Sequence, residues 1–450
     1  MEFIWNLTAF IITIGVLITA HEFGHYFIAR QCGVHIERFS IGFGKILWRK
    51  FNKHNTEFII AMIPLGGYVK MMDEHTSIIP PEFRNMAFNN KKIWQRTAII
   101  IAGPIANFLL AVIVYCLVYM IGTQSTKPII EDIKPGSIAE FAKLTPKMEI
   151  ISIDDIDTPN WNTVRLALIA KIGNSKIKTK ILVEGSKKPL TKIINLKHWN
   201  FDPEKQDPII SIGIMPISSK TNNIIKKIKI GTAGDRSGLI PNDKIINVNG
   251  KNLNNWNTIN NIIYNNPNIP LLLKIERNKK IIFLTLTPDI KKEQNNKQVG
   301  FAGIEFLVKP LENKYKIIEQ YEPFLAFYKS IKKTWQLIKI TVNMISKLCI
   351  GDIKLNNLNG PISIAKGAGV SAELGLVYYL MFIALISINL GVVNLFPLSV
   401  LDGGQLFFLL IEKIKGKPVS AKIQNISFKI SILILIILMT LALFNDLSRF

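Results

Sequence analysis

The stretch ITAHEFGHYFIAR, residues 18–30, places two histidines and a glutamate directly after an uncharged apolar run, Phe3 to Ala20. That run is close to the roughly 20 residues that a membrane-spanning helix needs. Ionisable side chains at the end of such a run are energetically costly and usually functional. In a helix His21 and His25 lie on one face, which suits two imidazole ligands on one Zn²⁺ with Glu22 beside them as general base.

Composition is typical of a membrane protein and argues against nucleic-acid binding. The chain has 450 residues, of which 48% are hydrophobic, and a mean hydropathy of +0.26. Its net charge of +23 comes from 46 lysines and 9 arginines that are spread along the sequence. A strand-binding groove would need basic residues clustered and interleaved with aromatics. The three isolated cysteines provide neither a disulfide framework nor a CxxC metal pair.

Four uncharged stretches are long enough to cross a bilayer. Phe3–Ala20 is followed by Thr97–Thr126 and Leu374–Leu401, and the shorter Ile430–Asn445 is extended by the long side chain of Lys429. The first stretch lacks the positive n-region and the cleavage site of a signal peptide, which predicts an uncleaved anchor. The sequence therefore predicts an α-helical membrane protein with four transmembrane helices, at 1–26, 97–122, 374–402 and 427–446.

Basic residues set the predicted orientation. Eleven Lys and Arg, against five acids, lie between the first and second spans, and five lysines lie between the third and fourth. Because basic loops stay in the cytoplasm, both loops are predicted to be cytoplasmic, and the 127–373 region is predicted to lie across the membrane. Within the loop at 27–96, ERFSIGFGKILWRKF (37–51) and TEFIIAMIPLGGYVKM (56–71) alternate as strands with turn glycines. They predict a membrane-associated β-rich loop.

The long region between the second and third spans contains a repeat. Residues 129–161 align without a gap on residues 224–256, with 11 of 33 positions identical. A period near 95 residues fits two copies of a small domain. SGLIPNDKIINVNG in the second copy resembles the PDZ pattern, and AKLTPKMEIISIDD in the first resembles it more weakly. The prediction is two tandem PDZ-like α+β domains, at 125–219 and 220–309, that bind peptides by strand addition or filter substrates sterically. A spacer without a ligand is the alternative.

An amphipathic helix is predicted at 320–350, after the repeats. Its apolar residues recur at helical spacing, among them Phe324, Ile331 and Trp335, while the lysines fall elsewhere. Such a helix can lie on the membrane surface or pack on the second PDZ-like domain, and the sequence does not separate these alternatives.

A catalytic zinc usually has three protein ligands and one open position. HEFGHYFIARQ lacks the downstream histidine of soluble zincins, and the other histidines lie in loops: His35, His54, His75 and His198. The best candidate is Asp402 in NLGVVNLFPLSVLDGGQ (389–405), the first charge after 28 uncharged residues. The first and third spans are predicted to end on the same side, so Asp402 can meet HEFGH at one membrane depth. The alternative is an ordinary Asp-Gly turn.

Together these motifs resemble the site-2 protease family of intramembrane zinc metalloproteases, and the likeness covers nearly the whole chain. It rests on HEFGH, on GPIAN (103–107) in the second span, on the PDZ-like repeats and on NLFPLSVLDGG (394–404). The resemblance implies that His21, His25 and Asp402 bind one Zn²⁺ per chain and that Glu22 is the catalytic acid/base. Apart from the resemblance, the small residues of GPIAN predict close packing of the second span rather than chemistry.

The resemblance also implies roles for two residues before the third ligand. Asn394 and Pro397 match positions that help to hold the substrate chain near the metal. Two positions depart from the family: Ser399 stands where proline is common and Gln405 where histidine is common. Neither is a ligand, so both are interpreted as tolerated.

The implied activity is cleavage of transmembrane segments of single-span membrane proteins after an earlier extracytoplasmic cut. The implied substrates are an anti-sigma factor in envelope stress signalling and remnant signal peptides. The implied surroundings are the lipid bilayer of a bacterial inner membrane, with the active site near the cytoplasm and the PDZ-like domains, with their peptide or protein ligands, in the periplasm. Two alternatives remain, namely a soluble-type zincin with membrane anchors and an inactive membrane scaffold that presents PDZ-like domains.

The topology leads to a first prediction. Reporters fused after Lys53 and after Lys415 should report the cytoplasm, because each lies in a basic loop. A reporter fused near Lys220 should report the opposite side. Paired phosphatase and fluorescent-protein fusions at the three positions measure this, and a cytoplasmic signal at Lys220 would overturn the four-span arrangement.

Overall fold

The structure is a computed structural model that describes residues 2–449 except 75–78, 198, 200, 202–205, 219, 253–255, 293–297, 352–354 and 356–357. In chain order the helices are α1 (Glu2–Gln31), α2 (Ile93–Ile121), α3 (Ile138–Phe141), α4 (Trp161–Ile169), α5 (Pro208–Ser211), α6 (Ala233–Arg236), α7 (Trp256–Asn265), α8 (Pro323–Ile350), α9 (Pro361–Glu373), α10 (Leu376–Asn394), α11 (Asp402–Lys415) and α12 (Ala421–Arg449). The strands are β1 (Ile36–Phe51), β2 (Glu57–Met71), β3 (Thr123–Thr126), β4 (Ile130–Ile133), β5 (Glu149–Ile153), β6 (Ile156–Asp157), β7 (Lys176–Leu182), β8 (Leu190–Asn195), β9 (Ile214–Pro216), β10 (Lys220–Ile228), β11 (Lys244–Val248), β12 (Lys251–Asn252), β13 (Leu271–Arg277), β14 (Lys280–Leu286), β15 (Asp289–Lys292), β16 (Gln298–Phe301), β17 (Ile304–Lys309) and β18 (Lys316–Glu319).

Among the described residues, four helices are long and apolar enough to span a membrane, namely α1, α2, α10 and α12. The first continues past its predicted end, the second begins before its predicted start, and the fourth extends beyond both of its predicted bounds. The third is shorter than predicted, because α10 ends at Asn394 and not at 402. Pro397 has no N–H and disfavours helix in the residue before it, so the chain turns at this point. Asp402 consequently begins a new helix, α11, and does not end the third span.

The chain divides into two compact units. The larger contains Met1–Pro128, Ile133–Met215 and Ile317–Arg449, and the smaller contains Ile129–Asp132 and Pro216–Lys316. Most of the region predicted as the first PDZ-like domain therefore belongs to the same unit as the membrane helices.

Helices α1, α2 and α10 pack closely because small and polar residues lie at their contacts. A Cβ atom on Gly24 of α1 would lie 2.3 Å from the carbonyl oxygen of Ala102 on α2, so only glycine fits there. Between α1 and α10, Thr13 donates a hydrogen bond to the Tyr379 hydroxyl, which donates to the Ala9 carbonyl. These contacts fix the helix that carries HEFGH against its neighbours.

The loop after α1 folds as the long antiparallel hairpin β1–β2, in line with the predicted β-rich loop. Its second strand approaches α1 at Gly67, where a Cβ atom would lie 2.7 Å from Ile18 Cγ2 and 2.7 Å from the Ser40 carbonyl oxygen. Gly67 thus lets β2 lie alongside the histidine-bearing end of α1.

Two mixed α and β segments follow α2, and we call residues 125–219 the first module and 220–309 the second module. In the first, strand order is β6-β5-β7-β8, and in the second it is β14-β13-β11-β10-β17 with β12 on β11. Corresponding elements keep the period of the sequence alignment. For example, β5 begins at Glu149 and β11 at Lys244, 95 residues later.

Helix α8 is amphipathic, but several of its largest apolar residues do not lie on its packed face. Phe324 is 88% exposed, and Ile331 and Trp335 are also exposed. The face toward α2 and α10 carries smaller or polar residues, including Ala326, Ser330, Thr334 and Leu337. The outward position of the aromatic residues is the arrangement that contact with lipid requires.

Helix α9 occupies a stretch for which the sequence predicted no element. Its N-terminus is capped by the fully buried carboxylate of Asp446 on α12, which accepts hydrogen bonds from the backbone N–H groups of Gly360, Ile362 and Ser363. A negative charge at a helix N-terminus satisfies donors that the helix leaves unpaired. Trp5 of α1 donates to the Gly369 carbonyl, so α9 also supports α1.

Candidate metal centre

Helix α1 carries the HEFGH residues where it meets α2. His21 and His25 are each only 8% exposed, and their Nε2 atoms lie 3.2 Å apart. The four-residue spacing places both rings on the side of α1 that faces α2. Glu22, the residue between them on the helix, is half-buried.

Asp402 completes a group of three. Its Oδ2 atom lies 3.2 Å from His21 Nε2 and 3.5 Å from His25 Nε2. Zinc takes tetrahedral coordination with bonds of about 2.0–2.1 Å, which corresponds to ligand–ligand edges of about 3.3–3.4 Å. The three separations match one face of such a tetrahedron. The fourth vertex is then free for water or substrate, as in catalytic zinc sites.

A second observation, which concerns the buried Oδ2 atom of Asp402, also indicates that these three residues fit zinc. Among the described residues, the buried Asp402 Oδ2 atom has no hydrogen-bond donor, and such an orphaned carboxylate oxygen is costly unless an ion neutralises it. The same three residues are the group of possible metal ligands found in the described part of the chain. His75 and His198 lie outside the described residues, and His35 and His54 do not belong to the group.

Helix α2 lines the other side of the two imidazoles with residues at four-residue spacing. The Nδ1–H group of His25 donates to the Ile99 carbonyl oxygen over 2.9 Å, since a carbonyl can only accept. At Gly103 a Cβ atom would lie 2.3 Å from His25 Nε2 and 2.8 Å from His21 Cε1. One turn further, the Asn107 amide lies against His21 Nδ1. Ile99, Gly103 and Asn107 therefore form one stripe on α2 that faces both histidines.

The small residues of GPIAN predict close helix packing rather than chemistry. Gly103 agrees with that prediction, although the groups that pack against it are the two histidine rings. Asn107 was missed. Its signal in the sequence was a polar residue inside an uncharged span, four residues after the glycine.

Glu22 lies beside β2. A Cβ atom on Gly67 would lie 3.2 Å from Glu22 Cγ, and the Val69 backbone N–H faces the Glu22 carboxylate. The hairpin thus reaches the residue that the sequence predicts to move protons.

The turn between α10 and α11 delivers Asp402. Asn394 is the last residue of α10 and is half-buried, whereas Pro397 lies exposed in the turn, and neither belongs to the three-residue group. A Cβ atom on Gly403 or Gly404 would lie 2.2 Å from the Leu395 or Leu398 carbonyl oxygen, respectively. The two glycines after Asp402 therefore let the turn fold directly onto the start of α11.

Ser399, where the resemblance leads one to expect proline, has a clear structural role. Its backbone N–H donates to the Ser431 hydroxyl over 3.0 Å, and its own hydroxyl contacts that of Ser427. Both partners belong to α12. A proline could not donate this backbone hydrogen bond, so the serine ties the turn to the fourth membrane helix. The structure gives no explanation for Gln405.

The chain is similar to known proteins over nearly its whole length. Residues 9–438 match the family model described as peptidase family M50. The chain is 52% identical to a protein of Yersinia pestis named protease RseP and 50% identical to the regulator of sigma-E protease RseP of Escherichia coli, in both cases over the full length of each chain. It is 43% identical to a putative zinc metalloprotease of Vibrio cholerae, over all of this chain and 99% of that one.

The stripe on α2 leads to a prediction about Gly103. Gly103→Ala should lower zinc affinity by more than the roughly 10–100-fold that loss of an outer hydrogen bond to a ligand costs. The reason is that the added methyl group would collide with both imidazoles. Zinc content of the purified protein across a chelator series measures the effect.

Gly15→Ala, also in a membrane helix, is the matched control. Its Cβ atom would meet nothing within 4 Å, so zinc content should stay at the wild-type value. Equal zinc retention by the two variants would contradict the assigned role of Gly103.

Proposed function

The chain belongs to peptidase family M50 and is a zinc metalloendopeptidase, and we propose that it cleaves transmembrane segments of single-span membrane proteins within the bilayer. The observation that carries the proposal is the group His21, His25 and Asp402, with separations of 3.2–3.5 Å. Two of its members lie on a helix apolar enough to span a membrane. A protease site at that place is suited to substrates that are themselves in the membrane.

In this proposal His21 and His25 bind zinc through Nε2, and Asp402 binds it through Oδ2. Zinc, when bound, supplies a Lewis acid that polarises the scissile carbonyl and makes water more acidic. Glu22 takes the proton of the attacking water and delivers it to the leaving amine. Because Glu22 follows His21 directly on the same helix, it acts beside the ligands without being one of them.

A helical substrate must unwind before it can be cut, since its carbonyls are hydrogen-bonded within the helix. We propose that the β1–β2 hairpin offers an exposed strand edge to the unwound segment. The approach of β2 to Glu22 at Gly67 supports this placement. The Asn394 amide pairs with the backbone groups that unwinding frees in the substrate. Pro397 restricts the backbone of the turn beside it to an extended conformation.

The proposed location is a bacterial inner membrane, with the zinc site near the cytoplasmic side and both modules in the periplasm. The basic loops before α2 and before α12 support this orientation. The relative from Escherichia coli is named as a regulator of sigma-E protease. We therefore propose as substrate an anti-sigma factor already trimmed outside the membrane, and remnant signal peptides as a second class.

The two modules are proposed to be PDZ-like domains that control access of substrates. The second module contains a cavity of about 850 Å³ lined by β10, α7 and residues 300–305. A groove between a strand and a helix is the kind of site in which an extended peptide adds to a sheet. Two folded modules also exclude a substrate with a bulky outer domain, so peptide binding and steric filtering are compatible. An inactive scaffold would not need the assembled ligand group of α1 and α11.

The chemistry leads to a prediction for two carboxylates. Glu22→Gln should abolish cleavage of a single-span substrate while zinc stays bound, because the side chain moves protons and does not bind the metal. Asp402→Asn should lower both zinc content and cleavage, since a neutral amide is a poor zinc ligand. Zinc analysis and a cleavage assay on each purified variant measure the two effects separately. Near-wild-type cleavage by Glu22→Gln would refute its role, and full zinc occupancy in Asp402→Asn would place the third ligand elsewhere.

The access role leads to a further prediction. Lys220 and Lys309 are paired across β10 and β17, so their Cα atoms are about 4.5–5.5 Å apart, and residues 221–308 can be excised and the ends rejoined with a short glycine linker. The shortened protein should cleave a pre-trimmed substrate as wild type does. It should also cleave the full-length substrate that wild type rejects, because selectivity often rests on excluding wrong partners.

The same cleavage assay on both substrates decides the matter. Unchanged rejection of the full-length substrate by the shortened protein would show that the second module does not filter. Loss of cleavage of the pre-trimmed substrate as well would show that the module is needed for activity itself.

A further inference from the structure

Asn107 on α2 is a fully buried polar side chain directed at one of the two histidines. Its exposed fraction is 0%, and its Nδ2 atom lies 3.2 Å from His21 Nδ1. Among the described residues, its other amide atom, Oδ1, is buried without a hydrogen-bond partner. Buried amide groups are nearly always satisfied, so an unpaired oxygen beside an imidazole needs an explanation.

The explanation follows from the chemistry of an imidazole that binds a metal. When Nε2 of His21 binds zinc, its lone pair is used, and the ring proton must reside on Nδ1. Nδ1–H is then a donor and requires an acceptor. The Nδ2 group of an amide is itself a donor and cannot accept. The oxygen and nitrogen of an asparagine amide are assigned from their surroundings, and rotating the Asn107 amide by half a turn places Oδ1 against Nδ1–H. That single rotation gives the ring proton an acceptor and the orphaned oxygen a donor.

We propose that Asn107 is a positioning residue for His21: its amide oxygen accepts the Nδ1 proton, which fixes the tautomer and the ring orientation that present Nε2 to zinc. The inference rests on the proposed role of His21 as a zinc ligand. It assigns Asn107 no contact with substrate or metal.

The ring of His25 makes an equivalent hydrogen bond, but to a different kind of acceptor. His25 Nδ1–H donates to the Ile99 carbonyl on α2, an acceptor whose identity is certain. Asn107 lies eight residues, about two turns, further along that helix. A backbone carbonyl is available at Ile99 because the His25 ring lies close to the helix. At His21 a side chain performs the same task.

The backbone of Asn107 is held independently of its side chain. Ser387 on α10 donates a hydrogen bond to the Asn107 carbonyl oxygen over 2.8 Å. The amide is therefore presented to His21 by a helix already fixed on its other side. This arrangement also provides a control that alters the packing of Asn107 without altering its amide.

The test uses the purified full-length protein and measures zinc retained across a chelator series. Asn107→Leu, which preserves the size but has no acceptor, and Asn107→Ala should each lower zinc affinity about 10–100-fold, as loss of an outer hydrogen bond to a metal ligand does. Asn107→Asp, whose carboxylate oxygen accepts the same proton, should stay within a few-fold of wild type. Ser387→Ala should retain zinc as wild type does. The visible spectrum of the Co²⁺-substituted protein should change in Asn107→Leu and be restored in Asn107→Asp.

His21→Ala separates failure of this inference from failure of the proposed function. If His21→Ala loses zinc while Asn107→Leu and Asn107→Ala keep wild-type affinity, Asn107 does not position the ring and the ligand assignment stands. If His21→Ala itself keeps wild-type affinity, His21 is not a ligand, and the assignment on which the inference rests is wrong. Equal losses in Asn107→Leu and Asn107→Asp would indicate a packing role and would also overturn the inference.

Discussion

The close approach of α1 to α2 is the constraint on which the rest of the site depends. Gly24 removes a side chain where α1 meets the backbone of Ala102, and Gly103 removes one where α2 meets the two imidazoles. Side chains in a helix contact only what their backbone can reach. With a larger separation, the Ile99 carbonyl and the Asn107 amide could not contact the outer nitrogens of the histidines. Helix packing and ligand orientation are thus set by the same two glycines.

The third residue of the group depends on a different kind of support. Asp402 is delivered by a turn, and turns are more mobile than helices unless something holds them. Here Gly403 and Gly404 let the turn pack on its own carbonyls, and Ser399 attaches it to α12. A partly buried ion pair between Arg96 of α2 and Glu412 of α11 joins the two helices further from the metal group. The carboxylate is therefore held at the start of a helix anchored along its length.

Much of the site could be predicted from the sequence, because its residues lie in short motifs. HEFGH and LDGG name the three residues that the structure brings within 3.5 Å of one another, and the four apolar stretches name the four long helices. The remaining features depend on contacts between distant parts of the chain. The Asp446 carboxylate caps α9 from 84 residues away at Ile362, and no local pattern marks that pair. Asn107 lies in a motif that is typical of helix packing, and no local pattern marks its partner His21, which lies 86 residues earlier. The predicted third span is longer than α10, because periodicity and charge do not show where an apolar stretch stops being helical.

The separation of the three proposed ligands along the sequence has a consequence for the order of synthesis. His21 and His25 are synthesised well before Asp402, which lies 377 residues after His25 in the chain. At about 5–20 residues per second, roughly 20–75 s pass between the second ligand and the third. During that interval the nascent chain has the histidine pair in its first membrane helix but not the three-donor set of a catalytic zinc site. The metal site can form only when the third span and α11 have followed into place, so a chain stalled or truncated before that point remains in the membrane without the assembled centre.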